Sequence, residues 1–305
     1  MWKGRDILDI LDFTREELDG LFRETMGFEE GRKEGSEALK NGLMSLAFFE
    51  PSTRTRMSFE AAMMRLGGKV MDLGEMKASS VTKGENLADT VKMLDFYSDV
   101  IVIRHWLEGA SRFAADVCTH PVINAGEGMK NHPTQTMIDL YEIQREFGKI
   151  DGLTIAVVGD IRHARASASL LLGLSLFDVK KIYLIAPEPL RVRPEVKDRL
   201  NAAKVGFEER DSLLGVVENA DVLYVTRVQK ERYSDLGEYE RVKNSYIIND
   251  DVVKKMKPDS IILHPLPRVD ELGVTVDKYR QARYFEQARR GLHVRMAILE
   301  SILGG

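Results

Sequence analysis

Eight short apolar runs, separated by segments with helical spacing, constrain the fold of this chain more than any other feature. The runs begin at Leu43, Lys69, Asp99 and Pro121 in the first half, and at Leu153, Lys180, Asp221 and Ser260 in the second. Runs that are apolar almost throughout are typical of strands buried on both faces of a parallel sheet. Because strands alternate with helices, the pattern predicts an α/β fold in which each half forms a mainly parallel sheet flanked by helices.

The runs fall into two groups, and this grouping predicts two domains. A length of 305 residues exceeds the usual size of one domain, although length alone leaves a single larger domain open. A long helical segment follows His132 and ends at Gly148. We therefore expect a first domain over residues 1–149 and a second over 150–291. Apolar residues at helical spacing predict a final helix, 292–305, that packs back on the first domain.

The composition excludes several classes of partner. The net charge is −4 and no basic block is present, so no nucleic-acid partner is expected. The one cysteine, Cys118, can form neither an internal disulfide nor a multi-cysteine zinc site, which fits a reducing compartment. No motif requires a metal ion or a cofactor. Without a signal peptide or a membrane-spanning run, a cytoplasmic protein with no membrane contact is the expectation.

The segment FFEPSTRTR places hydroxyl groups and an arginine at the start of a predicted helix. Ser52, Thr53, Arg54 and Thr55 follow a strand end and a proline. The first N–H groups of a helix have no partner within the helix, and its dipole is positive there, so this start suits a phosphate dianion. The alternative is that Ser52 or Thr53 only caps the helix. The segment lacks the glycines of a P-loop, so it leaves both interpretations open.

Polar residues after two later strands support the phosphate interpretation. Arg104 follows the third strand, and His132 and Gln135 follow the fourth. In open α/β sheets, ligands bind beyond the carboxyl ends of the strands. Arg104 alone would more often be a surface residue, and His132 alone a helix-start residue. Their joint placement favours a functional crevice.

Motifs along almost the whole chain occur in an order that a known family shares. They are FFEPSTRTR, SSVTKGENLADT, IRHWLEGA, NHPTQT, VTRVQKER, ILHPLPRVDE and VRMAIL. Together they resemble the aspartate carbamoyltransferase family, while STRTR and HPTQ are shared by the wider carbamoyltransferase superfamily. The resemblance implies transfer of the carbamoyl group of carbamoyl phosphate to the α-amino group of L-aspartate, an early step of pyrimidine biosynthesis.

The resemblance also implies the site residues. For carbamoyl phosphate they are Ser52, Thr53, Arg54, Thr55, Arg104, His132, Gln135, and the carbonyl groups of Pro265 and Leu266, with a cis Leu266–Pro267 bond. For aspartate they are Lys83, Arg165, Arg227 and Gln229. Those expected to act in catalysis are Arg54, Thr55, Lys83, Arg104 and His132. Arginine suits a dicarboxylate acceptor because its guanidinium pairs with each carboxylate through two hydrogen bonds.

The implied mechanism is attack by the neutral amino group, followed by loss of phosphate from a tetrahedral intermediate. Thr55, Arg104 and His132 would donate hydrogen bonds to the carbonyl oxygen as it gains charge. We expect a neutral His132, because a cationic imidazole gains little beside two arginines. The departing phosphate is then the hypothetical proton acceptor.

Several alternatives stay open at this point. Ornithine carbamoyltransferases carry an HCLP motif, whereas Pro265 follows His264 here and the thiol is absent. Arg165 and Arg227 could instead pair with Asp160 for structural reasons. A carbamoyltransferase with another amino acceptor, or a silent paralogue that acts as a binding or assembly subunit, are the competing functions. A dinucleotide site is weakly supported, since the glycine fingerprint after VVGD is missing.

The resemblance further implies a homotrimer with shared active sites. In the family, the loop that here carries Ser79 and Lys83 reaches the site of the neighbouring subunit. Association with a zinc-containing regulatory chain is left open. The chain departs from the family pattern over 161–168 and at Trp106, which bears on kinetics and not on the class of reaction.

Overall fold

The structure is a computed structural model that describes residues 2–33, 37–74, 84–228, 236–242 and 245–304. The chain divides into two units. Unit 1 comprises Met1–Ile138 and Arg289–Gly305, and unit 2 comprises Asp139–Ala288. No helix among the described residues is long and apolar enough to cross a membrane.

Unit 1 is built on a parallel sheet of four strands in the order β2-β1-β3-β4. The strands are β1 (Leu43–Phe48), β2 (Lys69–Asp72), β3 (Val100–His105) and β4 (Val122–Glu127). The helices are α1 (Arg15–Glu29), α2 (Thr53–Arg65), α3 (Leu87–Tyr97), α4 (Ala110–Val117) and the first part of α5 (Pro133–Phe147).

Unit 2 is built on a parallel sheet of five strands in the order β7-β6-β5-β8-β9. The strands are β5 (Thr154–Gly159), β6 (Lys181–Ile185), β7 (Phe207–Arg210), β8 (Val222–Thr226) and β9 (Ile261–Leu263). The helices are α6 (Arg165–Leu174), α7 (Pro194–Ala202), α8 (Leu236–Val242), α9 (Asp250–Val253) and the first part of α10 (Tyr284–Leu303).

The predicted fold class is confirmed. Every predicted apolar run contains a strand, and β5 and β8 are buried along their whole length, as expected for central strands covered by helices. The end of α10 packs in unit 1, where Glu300 pairs with Lys33 at 2.5 Å and Arg290 pairs with Glu29 at 2.8 Å. The predicted domain limits at 149 and 291 stay a prediction, because both unit limits fall inside helices, α5 and α10.

Two elements differ from what the sequence pattern indicates. β7 has the sequence FEER at the edge of its sheet, and an edge strand that is half exposed lacks the apolar run that reveals a central strand. α10 begins at Tyr284, well before the expected start of the final helix. Its first turns carry Glu286, Arg289 and Arg290, so charged residues hide its helical periodicity.

Each sheet has one point where the order of connections reverses. In unit 1 the chain passes from β1 outward to β2 and then returns to β3 on the other side of β1. In unit 2 it passes from β5 outward through β6 to β7 and returns to β8 on the other side of β5. Loops that leave two neighbouring strands at such a switch point diverge and open a crevice for a ligand.

Gly159 shows how tightly the switch point of unit 2 is built. Its φ is +110°, and a Cβ atom there would lie 2.0 Å from the carbonyl oxygen of Thr226, the last residue of β8. The Thr226 hydroxyl donates to the carbonyl of Val158 at 3.2 Å. Only glycine permits both this backbone conformation and this approach of β8 to β5.

We expect Gly159→Ala to destabilise the protein by about 2 kcal/mol or more, because it combines an unfavourable φ with a backbone clash. The thermal unfolding midpoint, measured by calorimetry, should fall by about 5 °C. Gly206→Ala is the matched control in the same unit, since no atom lies within 4 Å of its added Cβ. Equal midpoints for the two variants would contradict this account of the switch point.

Candidate active site

The start of α2 lacks side-chain capping. Ser52 occupies the N-cap position with extended backbone angles, yet its hydroxyl makes no capping hydrogen bond, and the first turn contains no acidic residue. By contrast, Thr14 caps α1 by accepting from the N–H of Glu17, whose carboxylate accepts in return from the N–H of Thr14. Capping therefore does not explain the hydroxyl at Ser52. In the first turn of the same helix, Thr55 is only 7% exposed.

Arg104 is fixed at the switch point of unit 1. It lies near the end of β3, opposite Phe48 of β1, and its side chain is only 16% exposed. Its Nε lies 3.5 Å from Glu50 Oε2, and an Nη donates to the carbonyl of Ala125 at 3.2 Å. Because Glu50 belongs to the loop between β1 and α2, this ion pair links Arg104 to the loop that precedes Ser52. Arg104 is therefore not a solvated surface residue.

His132 is buried where α5 begins. It is 5% exposed, and its carbonyl accepts from the N–H groups of Gln135 at 3.0 Å and Thr136 at 3.1 Å. The preceding residue, Asn131, donates to the carboxylate of Asp9 at 2.7 Å, which holds the loop after β4 in place. Gln135 follows in the first turn of α5 and is partly exposed. In unit 1, Arg104, the start of α2 and the start of α5 thus all lie at the carboxyl ends of strands of the same sheet.

The histidine next to Arg104 adds no positive charge. His105 is buried, and burial lowers the pKa of its imidazole. Its Nδ1 accepts from the N–H of Leu107 at 3.0 Å, and its ring stacks on Trp106 with centroids 4.2 Å apart. Trp106, which departs from the family pattern, therefore packs against a neutral ring beside the site.

The two candidate acceptor arginines flank the switch point of unit 2. Arg165 is the first residue of α6, the helix that follows β5, and Arg227 directly follows β8. Both side chains are partly buried. Asp160 is fully buried, and its carboxylate accepts from the N–H of His163 at 2.9 Å. The placement of the arginines matches that of Arg104 in unit 1, at the carboxyl ends of central strands.

The segment after β9 forms a turn held by buried side chains. The Leu266–Pro267 peptide bond is cis, as the resemblance implies, and Leu266 has a φ of 55°. The N–H of Leu266 donates to His264 Nδ1 at 2.8 Å, so the imidazole proton lies on Nε2, which donates to Glu271 at 2.8 Å. Burial raises the pKa of Glu271, but hydrogen bonds, above all from His264, hold it below its usual value.

Three predicted site residues, Ser79, Lys83 and Gln229, lie outside the described residues. Among the residues that are described, no three His, Cys, Asp or Glu side chains are placed to hold a metal ion together.

Two family models match the chain in succession. The carbamoyl-P binding domain of the aspartate/ornithine carbamoyltransferases matches residues 5–145, and the Asp/Orn binding domain matches residues 151–302. This chain belongs to the aspartate/ornithine carbamoyltransferase family. The two matched domains correspond to the two sheets, each with basic residues at its switch point.

Individual relatives of this carbamoyltransferase chain are similar over nearly their whole length. The aspartate carbamoyltransferase catalytic subunit of Thermofilum pendens is 53% identical over 99% of this chain and 96% of its own. The crystal structure of Trypanosoma cruzi aspartate transcarbamoylase in complex with carbamoyl phosphate and aspartate has a TM-score of 0.95, with 38% identity over 99% of this chain and 98% of its own. The M. jannaschii catalytic subunit is 45% identical, covers 97% of each chain and has a TM-score of 0.89.

Several residues of this carbamoyltransferase's candidate site escape sequence reasoning. Glu50 holds Arg104, and Glu271 and Gln287 hold the turn after β9. Glu50 adjoins the phosphate motif, where an acidic residue signals no anion site. Glu271 and Gln287 are ordinary polar residues of a loop and a helix, and only the tertiary structure reveals their burial.

We expect Ser52→Ala to weaken the binding of inorganic phosphate about fivefold to tenfold, the effect of losing one hydrogen bond, as measured by calorimetry. Its thermal stability should be unchanged, because the hydroxyl caps nothing. Thr14→Ala is the matched control and should show the reverse, a loss of about 1 kcal/mol of stability with phosphate binding intact. A stability loss for Ser52→Ala equal to that of Thr14→Ala would reinstate the capping role.

Proposed function

We propose that this chain transfers the carbamoyl group of carbamoyl phosphate to the α-amino group of L-aspartate, giving N-carbamoyl-L-aspartate and phosphate, an early step of de novo pyrimidine biosynthesis. One observation carries the proposal. Each sheet places arginine at its switch point, and in unit 1 that arginine accompanies an uncapped helix start. The relatives named above support it, since one of them binds both substrates.

In this proposal the residues of unit 1 bind the phosphate end of the donor. Ser52, Thr53 and Thr55 supply hydroxyl groups, the start of α2 supplies backbone N–H groups, and Arg54 supplies a positive charge. Arg104, His132 and Gln135 complete the carbamoyl phosphate site, with Arg104 and His132 at the carbonyl oxygen. Arg104 keeps part of its charge compensated by Glu50 at 3.5 Å, so it is already oriented before a ligand arrives.

The residues of unit 2 bind the acceptor. Aspartate carries two carboxylates, which suit Arg165 and Arg227, and we assign Gln229 and Lys83 to the same ligand from the family motif. Ornithine would present a cation to these arginines. This chain also lacks the thiol of the HCLP motif of ornithine carbamoyltransferases. Its only cysteine is Cys118, in unit 1, where burial raises the pKa of the thiol to about 11.

The reaction is a nucleophilic acyl-type substitution. The neutral amino group of aspartate forms a bond to the carbamoyl carbon, and the carbonyl oxygen gains charge in a tetrahedral intermediate. Thr55, Arg104 and His132 donate hydrogen bonds to that oxygen. The bond from carbon to the phosphate oxygen then breaks, and the departing phosphate takes the proton of the amine. The carbonyls of Pro265 and Leu266 accept hydrogen bonds from the carbamoyl NH2 group, which an acetyl group lacks.

We propose that the active unit is a homotrimer in which Lys83 completes a neighbouring site. Unit 1 exposes large apolar side chains on α2 and α3, which is unusual for a surface that contacts only water. They are Met57 and Met64 on α2, and Met93, Phe96 and Tyr97 on α3.

Arg165→Lys and Arg227→Lys test the acceptor site. Lysine keeps the charge but loses the paired hydrogen bonds to a carboxylate, so the KM for aspartate should rise by about tenfold or more. The KM for carbamoyl phosphate should change little. Arg162→Lys is the matched control, since Arg162 is exposed in the turn that precedes α6. Equal changes in both KM values would exclude a role specific to the acceptor.

Complementation tests the shared site. Lys83→Ala chains and Arg54→Ala chains should each be inactive, and an equimolar mixture, dissociated and reassembled, should regain activity at about a quarter of its sites. A mixture of Arg54→Ala with Arg104→Ala chains is the control, because both residues belong to the same subunit's half of the site. Recovery in the control mixture, or none in the first, would refute the shared site.

A further inference from the structure

A continuous chain of buried side chains runs through unit 2 and ends on the turn after β9. Gln287 accepts from the N–H of His264 at 3.0 Å and donates to Asp139 at 2.6 Å. Tyr224 donates to the other oxygen of Asp139 at 2.8 Å. On the opposite side, His264 donates to Glu271 at 2.8 Å. All five side chains are buried.

The direction of every hydrogen bond in this chain is determined. Because the N–H of Leu266 donates to His264 Nδ1, the imidazole proton must lie on Nε2 and point to Glu271. Because the N–H of His264 donates to Gln287, the amide oxygen of Gln287 faces the turn and its NH2 group faces Asp139. Burial raises the pKa of Tyr224 well above its usual value, so its hydroxyl keeps its proton and donates to Asp139. Because each donor has one acceptor, the network holds the turn in one conformation.

The backbone N–H groups of the turn donate hydrogen bonds to side chains of this network. Those of His264 and Leu266 donate to the network directly, and that of Val269 donates to Glu271 at 3.2 Å. A peptide unit is planar, so the direction of the Leu266 N–H also sets the direction of the Pro265 carbonyl on the opposite side of the same peptide bond. The network therefore controls the orientation of a carbonyl that the proposed function assigns to the carbamoyl NH2 group.

Within unit 2, the network ties the turn after β9 to Asp139, on the part of α5 that belongs to this unit. Stability alone does not account for such a network, because apolar residues of similar volume commonly stabilise a core as well as buried charges do.

We propose that His264, Gln287 and Asp139 are positioning residues that align the Pro265 carbonyl, and so let the site distinguish a carbamoyl group from an acetyl group. The inference rests on the proposed function for its ligand. Carbamoyl phosphate and acetyl phosphate differ in the NH2 group that this carbonyl recognises, so their relative affinity reports on its alignment. Neither measurement needs the acceptor.

The test measures the dissociation constants of carbamoyl phosphate and acetyl phosphate by calorimetry in the full-length protein. The wild type should favour carbamoyl phosphate, and Gln287→Leu should reduce that preference by about tenfold, the effect of one hydrogen bond, while acetyl phosphate binding stays the same. Gln281→Leu is the matched control, because Gln281 is partly buried in unit 2 and its side chain donates to the carbonyl of Lys257, which is not part of the network. It should keep the preference.

A conservative variant separates positioning from folding. Asparagine can accept from the N–H two residues ahead, as His264 does, so His264→Asn should retain more of the preference than His264→Ala. Equal weakening of both ligands, or an unchanged preference in Gln287→Leu, would overturn the positioning role. A preference that falls as expected in a protein unable to carbamoylate aspartate would uphold the positioning role and refute the proposed acceptor instead. A wild type that binds neither ligand would overturn both proposals.

Discussion

The parallel arrangement of strands is the constraint on which the rest of this molecule depends. In a parallel sheet all carboxyl ends lie at one edge, and at the switch point the loops that leave two central strands diverge. Both sheets have such a point, between β1 and β3 in unit 1 and between β5 and β8 in unit 2. Arg104 and the start of α2 lie at the first, and Arg165 and Arg227 lie at the second. The sheets thus bring together residues that are far apart in the chain, without any metal ion or cofactor in the proposed reaction.

Charge at these points is oriented before a ligand binds. Arg104 is tied to Glu50 and to the carbonyl of Ala125, so little conformational entropy remains to be lost when an anion arrives. The turn after β9 is likewise oriented before a ligand binds, by hydrogen bonds of His264, Gln287 and Asp139. Orientation costs stability, because buried polar groups must each find a partner. The fold meets that cost with sheets whose central strands are buried throughout.

The sequence predicts the fold class and the central strands well, because a strand buried on both faces must be apolar along its length. It misses β7, whose FEER sequence belongs to an exposed edge, and the charged first turns of α10. For the site, helix starts and strand ends point to Ser52, Arg104 and His132, since ligands bind beyond strand ends. Glu50, Gln287 and Asp139 could not be predicted, because each acts through a partner distant in the chain: Glu50 pairs with Arg104, and Gln287 bonds to Asp139.

The central claim is that this family member carbamoylates aspartate in preference to other amino acids. The most direct measurement supplies carbamoyl phosphate together with equal concentrations of L-aspartate, L-ornithine and L-glutamate, and identifies the carbamoylated products by mass spectrometry. The account predicts N-carbamoyl-L-aspartate as the dominant product, with one phosphate released for each molecule formed. Carbamoylated ornithine or glutamate in excess of the aspartate product, or no carbamoylated product at all, would contradict it.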